Sequence, residues 1–165
     1  MRRVIGAFVV GVVAAGAVWG ATTLVYDRNY AQDRAEIEDL QSRYLFALDW
    51  QYPEQYASTF TQDGVLIWAG GTVTGRPAII KEMTGARDAD LAKAASDAPL
   101  RPARRRHYIS NVVLRVNGDR ATGRAYWFEF NDDNADRRPY VGAYGHYEDE
   151  LRREHGRWLF SRHDK

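Results

Sequence analysis

Residues 106–131, RHYISNVVLRVNGDRATGRAYWFEFN, decide the fold class. Two runs rich in Val, Ile, Leu, Tyr, Phe and Trp, Arg106 to Val116 and Arg120 to Asn131, flank Asn117-Gly118-Asp119. Asn and Gly tolerate the positive φ of a tight hairpin turn, so the two runs are predicted to be antiparallel strands. Further on, Tyr140 to Glu154 and Arg157 to His163 repeat the pattern around His155-Gly156, and Asp132 to Pro139 is the longer polar connection. The C-terminal part of the chain therefore reads as a meander of four long strands.

Upstream the period changes. Asp33 with Glu36 three residues later reads as a capping box, and Ile37, Leu40, Tyr44 and Leu48 recur at helical spacing to about Asp49. Pro53 suits the first turn of a second, short helix that turns Tyr56 and Phe60 to one side before Asp63-Gly64. A strand over Val65 to Ala69, a turn at Gly70-Gly71 and a helix over Pro77 to Met83 follow; Gly85 to Arg106 reads as a partly helical excursion ending in a loop, a candidate lid. Helices first and strands afterward predict an α+β fold, with a curved antiparallel sheet packed on the N-terminal helices.

A chain of 165 residues with 45% apolar and 13% aromatic content suits one core and one ligand pocket. Lys and Arg number 23 against 22 Asp and Glu, so no global field attracts nucleic acid. The basic cluster Arg101, Arg104, Arg105 and Arg106 has no interleaved aromatic platform and reads as a solvated loop. Cysteine is absent, which excludes disulfides, thiolate nucleophiles and Cys-ligated zinc. The four histidines lack metal-site spacing on one helix, and no Gly-rich phosphate loop follows a strand. No metal and no cofactor are expected.

Met1-Arg2-Arg3 precedes an uncharged apolar stretch from Val4 to Val25, long enough as a helix to cross a bilayer core. The flanking charges keep Arg2 and Arg3 cytoplasmic and send the domain across. The competing reading is a cleaved signal peptide, with Ala15-Gly16-Ala17 as the small-residue site. Either way residues 1–30 form an anchor or signal, and residues 31–165 a domain outside the cytoplasm. That domain is membrane-anchored toward the periplasm or exterior, or released there after cleavage.

Several phrases then resemble a known family. Glu36-Ile37-Glu38-Asp39-Leu40-Gln41-Ser42-Arg43-Tyr44 with Ala47-Leu48-Asp49, Phe60-Thr61-Gln62-Asp63-Gly64-Val65, Gly75-Arg76-Pro77-Ala78-Ile79, His107-Tyr108-Ile109-Ser110-Asn111-Val112 and Gly118-Asp119-Arg120-Ala121-Thr122 look like SnoaL-like domains of the nuclear transport factor 2-like superfamily. Gly145-His146-Tyr147 and Gly156-Arg157-Trp158 extend the likeness, which spans about Asp33 to Arg162 in the expected order. The resemblance implies a cone whose bent antiparallel sheet and helices enclose a mainly apolar pocket, often in a homodimer. It implies cofactor-independent lyase or isomerase chemistry of the dehydratase type on a hydrophobic cyclic hydroxy-carbonyl compound, or else a non-catalytic ligand-binding or dimerisation module of the same fold.

In the dehydratase branch a Tyr and an Asp of the first helix meet a His from a strand, and Tyr44, Asp49 and His107 match those positions. A carboxylate that orients an imidazole lets the ring remove a proton beside a carbonyl, while a phenol donates to the enolate oxygen. Asp49 faces the unfavourable end of the helix dipole, so helix stability does not account for it; a turn-forming Asp at a helix end is the plainer reading. Tyr44 and Asp49 lie five residues apart, about 140° around an ideal helix, and share a face poorly. Simple alternation puts His107, Ile109, Asn111 and Val113 on one face. Trp68, Tyr126 and Phe128 are candidates for an aromatic wall, Asn111 for a pocket hydrogen bond and Arg162 for a substrate oxygen. Core packing, an edge polar residue and a surface ion pair are the respective alternatives, and His146 is open.

Overall fold

The computed structural model describes residues 29–165. The apolar stretch from Val4 to Val25 lies outside them, and among the described residues no helix is long and apolar enough to cross a membrane. Helix α1 runs over Tyr30–Asp49, with Ile37, Leu40, Tyr44 and Ala47 buried at spacings of three and four residues. It begins before the expected capping box and has no side-chain cap. Asp33 is instead buried, accepting from the Trp158 indole at 3.2 Å and from the Arg153 guanidinium. The acid selected as a cap is a tertiary tie to the last two strands.

Helix α2 (Pro53–Ser58) stops before Phe60, which opens strand β1 (Phe60–Trp68); past the expected turn at Gly70-Gly71, β1 turns back into a short β2 (Gly71–Thr74). Helix α3 runs over Arg76–Ser96, well past the expected end at Met83. Ala-rich sequence after Gly85 has the propensity to continue a helix that buries little, and only Ile79 of α3 is fully buried. Strands β3 (Arg105–Asn117), β4 (Arg120–Asn131), β5 (Tyr140–Glu154) and β6 (Arg157–Asp164) form the anticipated meander.

The six strands lie in the order β2-β1-β6-β5-β4-β3. The sheet is mixed, which corrects the expectation of an antiparallel one: β1 and β6 run parallel. Local pattern carries no information about which distant strand fills an open edge, and it is β6 that receives β1. The concave face packs on the helices through Leu66, Leu114, Ala121, Ala125, Tyr147, Leu151, Trp158 and Phe160. Strand β3 is the free edge opposite β2, with α1 lying beside it.

Two irregularities decide which residues face the core. In β3, Ser110 pairs Tyr126 and Val113 pairs Arg124, so β3 carries one extra residue at Asn111, whose φ is 54°. In β6, Leu151 pairs Phe160 but Glu150 pairs Arg162, so Ser161 is extra. Each bulge reverses the alternation beyond it.

The arginine cluster is fastened rather than free. Arg101 pairs with buried Asp132 at 2.7 Å, and the Arg104 amide donates to the same carboxylate. Arg137, buried, donates to the Arg101 carbonyl at 2.9 Å and to Asp97 at 3.1 Å. Burial raises the Asp132 carboxyl, but the Arg104 amide and the two guanidiniums outweigh it and hold it below the usual range. The segment read as a lid is thus the end of α3 and a loop clasped to the β4–β5 connection.

At the centre of the core, the Tyr56 hydroxyl donates to that of Tyr44 at 3.1 Å, and Tyr147 packs edge-on to Tyr44. Burial pushes all three phenols above their ordinary value. As pH climbs past about 10 the unfolded chain ionises first, so the stability present at neutral pH falls from there upward. Thermal denaturation followed between pH 8 and 12 is therefore expected to show a melting temperature declining steeply above pH 10. Phenolate absorbance of these three rings should appear together with unfolding rather than before it.

Candidate active site at the end of the first helix

Asp49 is the last residue of α1, and His107 lies near the start of the neighbouring edge strand β3. The Asp49 carboxylate binds His107 twice: Oδ2 accepts from the His107 backbone amide at 2.9 Å, and Oδ1 lies 2.6 Å from Nδ1 of the ring. An acid at the negative end of a helix dipole needs a compensating donor, and this strand supplies two. His107 and Glu129 are direct cross-strand partners in β3 and β4, so their side chains leave the same face of the sheet. Nε2 of His107 lies 2.9 Å from Glu129 Oε2, while Asn131 donates to the other Glu129 oxygen at 2.9 Å. The imidazole is held between two carboxylates.

The cluster is largely dry, with side-chain exposures of 4% for His107, 6% for Asp49 and 13% for Glu129. Its two ring contacts require hydrogen on both ring nitrogens, or on one ring nitrogen and one carboxyl, so two hydrogens lie along the row. Glu129 is the most accessible of the three and is the outward terminus of that row. Among the described residues no group of three or more His, Asp or Glu is arranged as a metal site.

Two cavities meet at this cluster. One, of about 570 Å³, is lined by Trp50, Tyr52 and Leu91 together with the charged Lys93, Asp97 and Arg105, and touches Asp49, His107 and Glu129. The other, of about 610 Å³, is a groove between α1 and β3 that also touches Asp49 and His107 and includes Leu45, Ile109 and Val112. Asp49 and His107 form the wall between a chamber of mixed lining that carries charged groups and a more apolar groove.

Tyr44 does not join them. Its ring is fully buried one helical face away, as the rotation along α1 requires, and packs 4.5 Å from His163 and 5.6 Å from Phe160. His163 there makes a second imidazole–carboxylate pair, with Nδ1 at 2.7 Å from Asp149 and both side chains 1% exposed. A chain of rings links the two histidines: Trp127 lies 5.9 Å from His107 and 5.9 Å from Tyr147, and Tyr147 4.5 Å from His163.

The other expected pocket residues fall as the bulges dictate. Tyr126 is 59% exposed on the outer face, and Phe128, on that same face, stacks on Tyr108 at 5.2 Å; neither lines the core side of β4. The alternate residues, Trp127 and Glu129, hold that side. Asn111 is exposed at its bulge, on the rim of the α1–β3 groove rather than on a strand face shared with His107. Arg162 is turned outward by the extra Ser161 and pairs with Asp164 at 2.9 Å, so the ion-pair alternative describes it, and His163 takes the inward position. Trp68 is half-buried against the core at the end of β1, its indole folded across Gly70. His146 is exposed beside Tyr126.

Glu129, Asp149 and His163 were missed. The first was legible: Ala121, Gly123 and Ala125 are the small residues of a concave face, and Glu129 is in phase with them. Asp149 was legible in the same way, in phase with Tyr147 and Leu151, whereas His163 was not, because the bulge that turns it inward has no signature in its neighbours.

A model of SnoaL-like domains matches residues 29–164. Among curated proteins none matches the chain. Solved structures with the same fold include a Mycobacterium tuberculosis protein of unknown function, 27% identical with a TM-score of 0.67, the match covering 81% of this chain and 70% of that one. A Catenulispora acidiphila protein in complex with S-DNPA is 26% identical, with a TM-score of 0.65 and coverage of 81% and 91%. A Novosphingobium aromaticivorans protein provisionally assigned as a scytalone dehydratase shares the fold at 24% identity and a TM-score of 0.63, covering 81% of this chain and 83% of its own. With the family model spanning every element from α1 to β6, the chain belongs to the SnoaL-like domain family.

Proposed function

We propose that the protein is a cofactor-independent lyase or isomerase acting on a hydrophobic cyclic hydroxy-carbonyl compound. The observation that carries this reading is the Asp49–His107–Glu129 row in the wall between two cavities. The Glu129–His107 pair takes a proton from the carbon beside the substrate carbonyl, and the electron pair of that C–H bond moves into an enolate. Collapse of the enolate expels a β-hydroxyl, which leaves as water after receiving the proton. In an isomerase the same proton returns to a different carbon. Asp49 acts through His107, fixing the ring by its two contacts. Tyr44 is too enclosed in the core to reach this proton, so its part is to build the floor on which the inner strands pack.

A screen of aromatic, steroid and polyketide hydroxy-ketones is expected to yield turnover that His107→Ala abolishes and Glu129→Gln lowers by about 10²- to 10⁴-fold, the range for a lost acid–base group. Turnover retained by a folded His107→Ala variant contradicts the mechanism. A small molecule released unchanged in native mass spectrometry, with no turnover in the screen, favours the binding module instead. Asp49→Ala leaves a buried ring and a backbone amide without their acceptor and is expected to cost about 3 kcal/mol in urea unfolding, with Asp49→Asn costing less.

Two further proposals concern the chain's setting. Tyr108, Val113, Tyr126 and Tyr144 are exposed on the outer face of the sheet, a surface suited to a second copy. Sedimentation should give a dimer that Tyr126→Glu with Tyr144→Glu dissociates; a monomeric wild type removes the proposal. Met1-Arg2-Arg3 and Val4 to Val25 support residues 1–30 as an anchor or signal carrying the domain of residues 31–165 out of the cytoplasm. A C-terminal alkaline phosphatase fusion should be active, and an inactive fusion contradicts export.

A further inference from the structure

Helix α1 ends in a turn that holds large apolar rings out of the core. Gln51 takes a φ of 59°, the Tyr52 amide returns to the Ala47 carbonyl at 2.9 Å, and the Gln51 amide returns to the Leu48 carbonyl at 3.2 Å. This is a Schellman turn, and it fixes Trp50 and Tyr52 on either side of a residue in the left-handed region. Phe46, Trp50 and Tyr52 are 63%, 52% and 44% exposed and form one continuous row, with neighbouring ring centres 5.8 Å and 6.2 Å apart. The Gln51 side chain donates to Asp90 of α3, and the next residue, Leu91, 59% exposed, lines the same cavity as Trp50 and Tyr52. Four large apolar side chains gathered on one exposed area need a reason that singly exposed ones do not.

These side chains frame both ways in to the Asp49–His107 wall. Phe46 lines the α1–β3 groove, Trp50, Tyr52 and Leu91 line the first cavity, and Asp49, between Phe46 and Trp50 along the helix, belongs to both. Arg104 and Arg105 also line the first cavity; both are exposed, and their guanidiniums make no hydrogen bond or ion pair among the described residues. The acids around that opening have partners: Gln51 for Asp90, Arg137 for Asp97, and Lys93 with the Tyr140 hydroxyl for Asp133. The charge left without a direct partner at the mouth is therefore positive. The aromatic platform missing beside the arginines in the sequence is supplied by α1 from across the cavity.

Trp and Tyr rings with arginines at their edge are the side chains that settle at the headgroup level of a bilayer. A protein docked on this area would close both openings, whereas a lipid surface leaves them facing the phase in which an apolar compound dissolves. We propose that Phe46, Trp50, Tyr52 and Leu91, with Arg104 and Arg105 beside them, form a membrane-contact surface that seats the two openings on the headgroups of an anionic bilayer. An apolar ligand then passes from lipid to the Asp49–His107 wall without crossing bulk water. The contact rests on the reading above for the apolar nature of the ligand alone. It is made by the domain's own surface, whatever the N-terminal stretch does.

The chain has no cysteine, so a single introduced one carries an environment-sensitive NBD label without interference. Full-length protein labelled at Leu91→Cys is placed with phosphatidylcholine vesicles that contain or lack phosphatidylglycerol. Asn117→Cys, at the opposite end of β3 from Arg105, is the reference. With phosphatidylglycerol the label at position 91 is expected to brighten and shift to the blue, while the label at position 117 keeps its aqueous spectrum. Arg104→Gln with Arg105→Gln should shift the balance of docked and free spectra about 30-fold toward free, the effect of removing two arginines from an anionic surface. Phe46→Ser with Trp50→Ser should return position 91 to its aqueous spectrum. An aqueous spectrum at position 91 on both kinds of vesicle overturns the proposal and leaves the surface to a protein partner. Equal brightening at position 117 overturns it too, because the bilayer then does not choose this surface. The readout is independent of turnover: a lipid response without turnover defeats the catalytic reading alone, and turnover without a lipid response defeats only the membrane contact.

Discussion

The contact between the Asp49 carboxylate and His107 ties together two elements that lie far apart in the sequence. Asp49 ends the first helix and His107 begins a strand at the free edge of the sheet, fifty-eight residues later. The carboxylate uses one oxygen on the strand's backbone and the other on the ring, so it fixes both where the strand starts and how the imidazole is turned. Cross-strand pairing then delivers Glu129 to the opposite ring nitrogen. A buried acid, a buried imidazole and a second acid are individually expensive to remove from water; sharing protons along a row makes the arrangement tolerable and gives it chemical use.

That the core contains a second imidazole–carboxylate pair, His163 with Asp149, gives the two histidines different characters. His163 is enclosed by Tyr44, Tyr147 and Phe160 and reaches no described cavity. His107 stands in the wall of two. The same pairing chemistry thus serves packing at the centre of the sheet and reactivity at its edge, and accessibility separates the roles. The clasp of Arg101 and Arg137 on Asp97 and Asp132 fastens the loop that borders the first cavity.

Much of the architecture was legible because it follows from period and turn chemistry. The Ile37, Leu40 and Tyr44 spacing gives α1, and Asn117-Gly118 and His155-Gly156 give the hairpins. Partnership between distant strands was not, since the parallel pairing of β1 with β6 depends on which edge remains open after the meander forms. The candidate site was legible as far as Asp49 and His107 and failed at the bulges. Alternation carried through Asn111 puts that residue on the face of His107, from which the bulge removes it; the extra Ser161 turns His163 inward and leaves Arg162 in its ion pair; and aromatic character alone selects Tyr126 and Phe128, whose positions on β4 face outward. Tyr44 was drawn into the site by resemblance, although its helical rotation from Asp49 argued against their meeting.

The most direct test of the shared-proton row is long-range nitrogen–proton NMR of the His107 ring at neutral pH. A ring held between two carboxylates in a dry wall should show a strongly downfield ring proton that exchanges slowly with solvent and moves when Glu129 is changed to Gln. Ring protons that average with bulk water and ignore Glu129→Gln would contradict it.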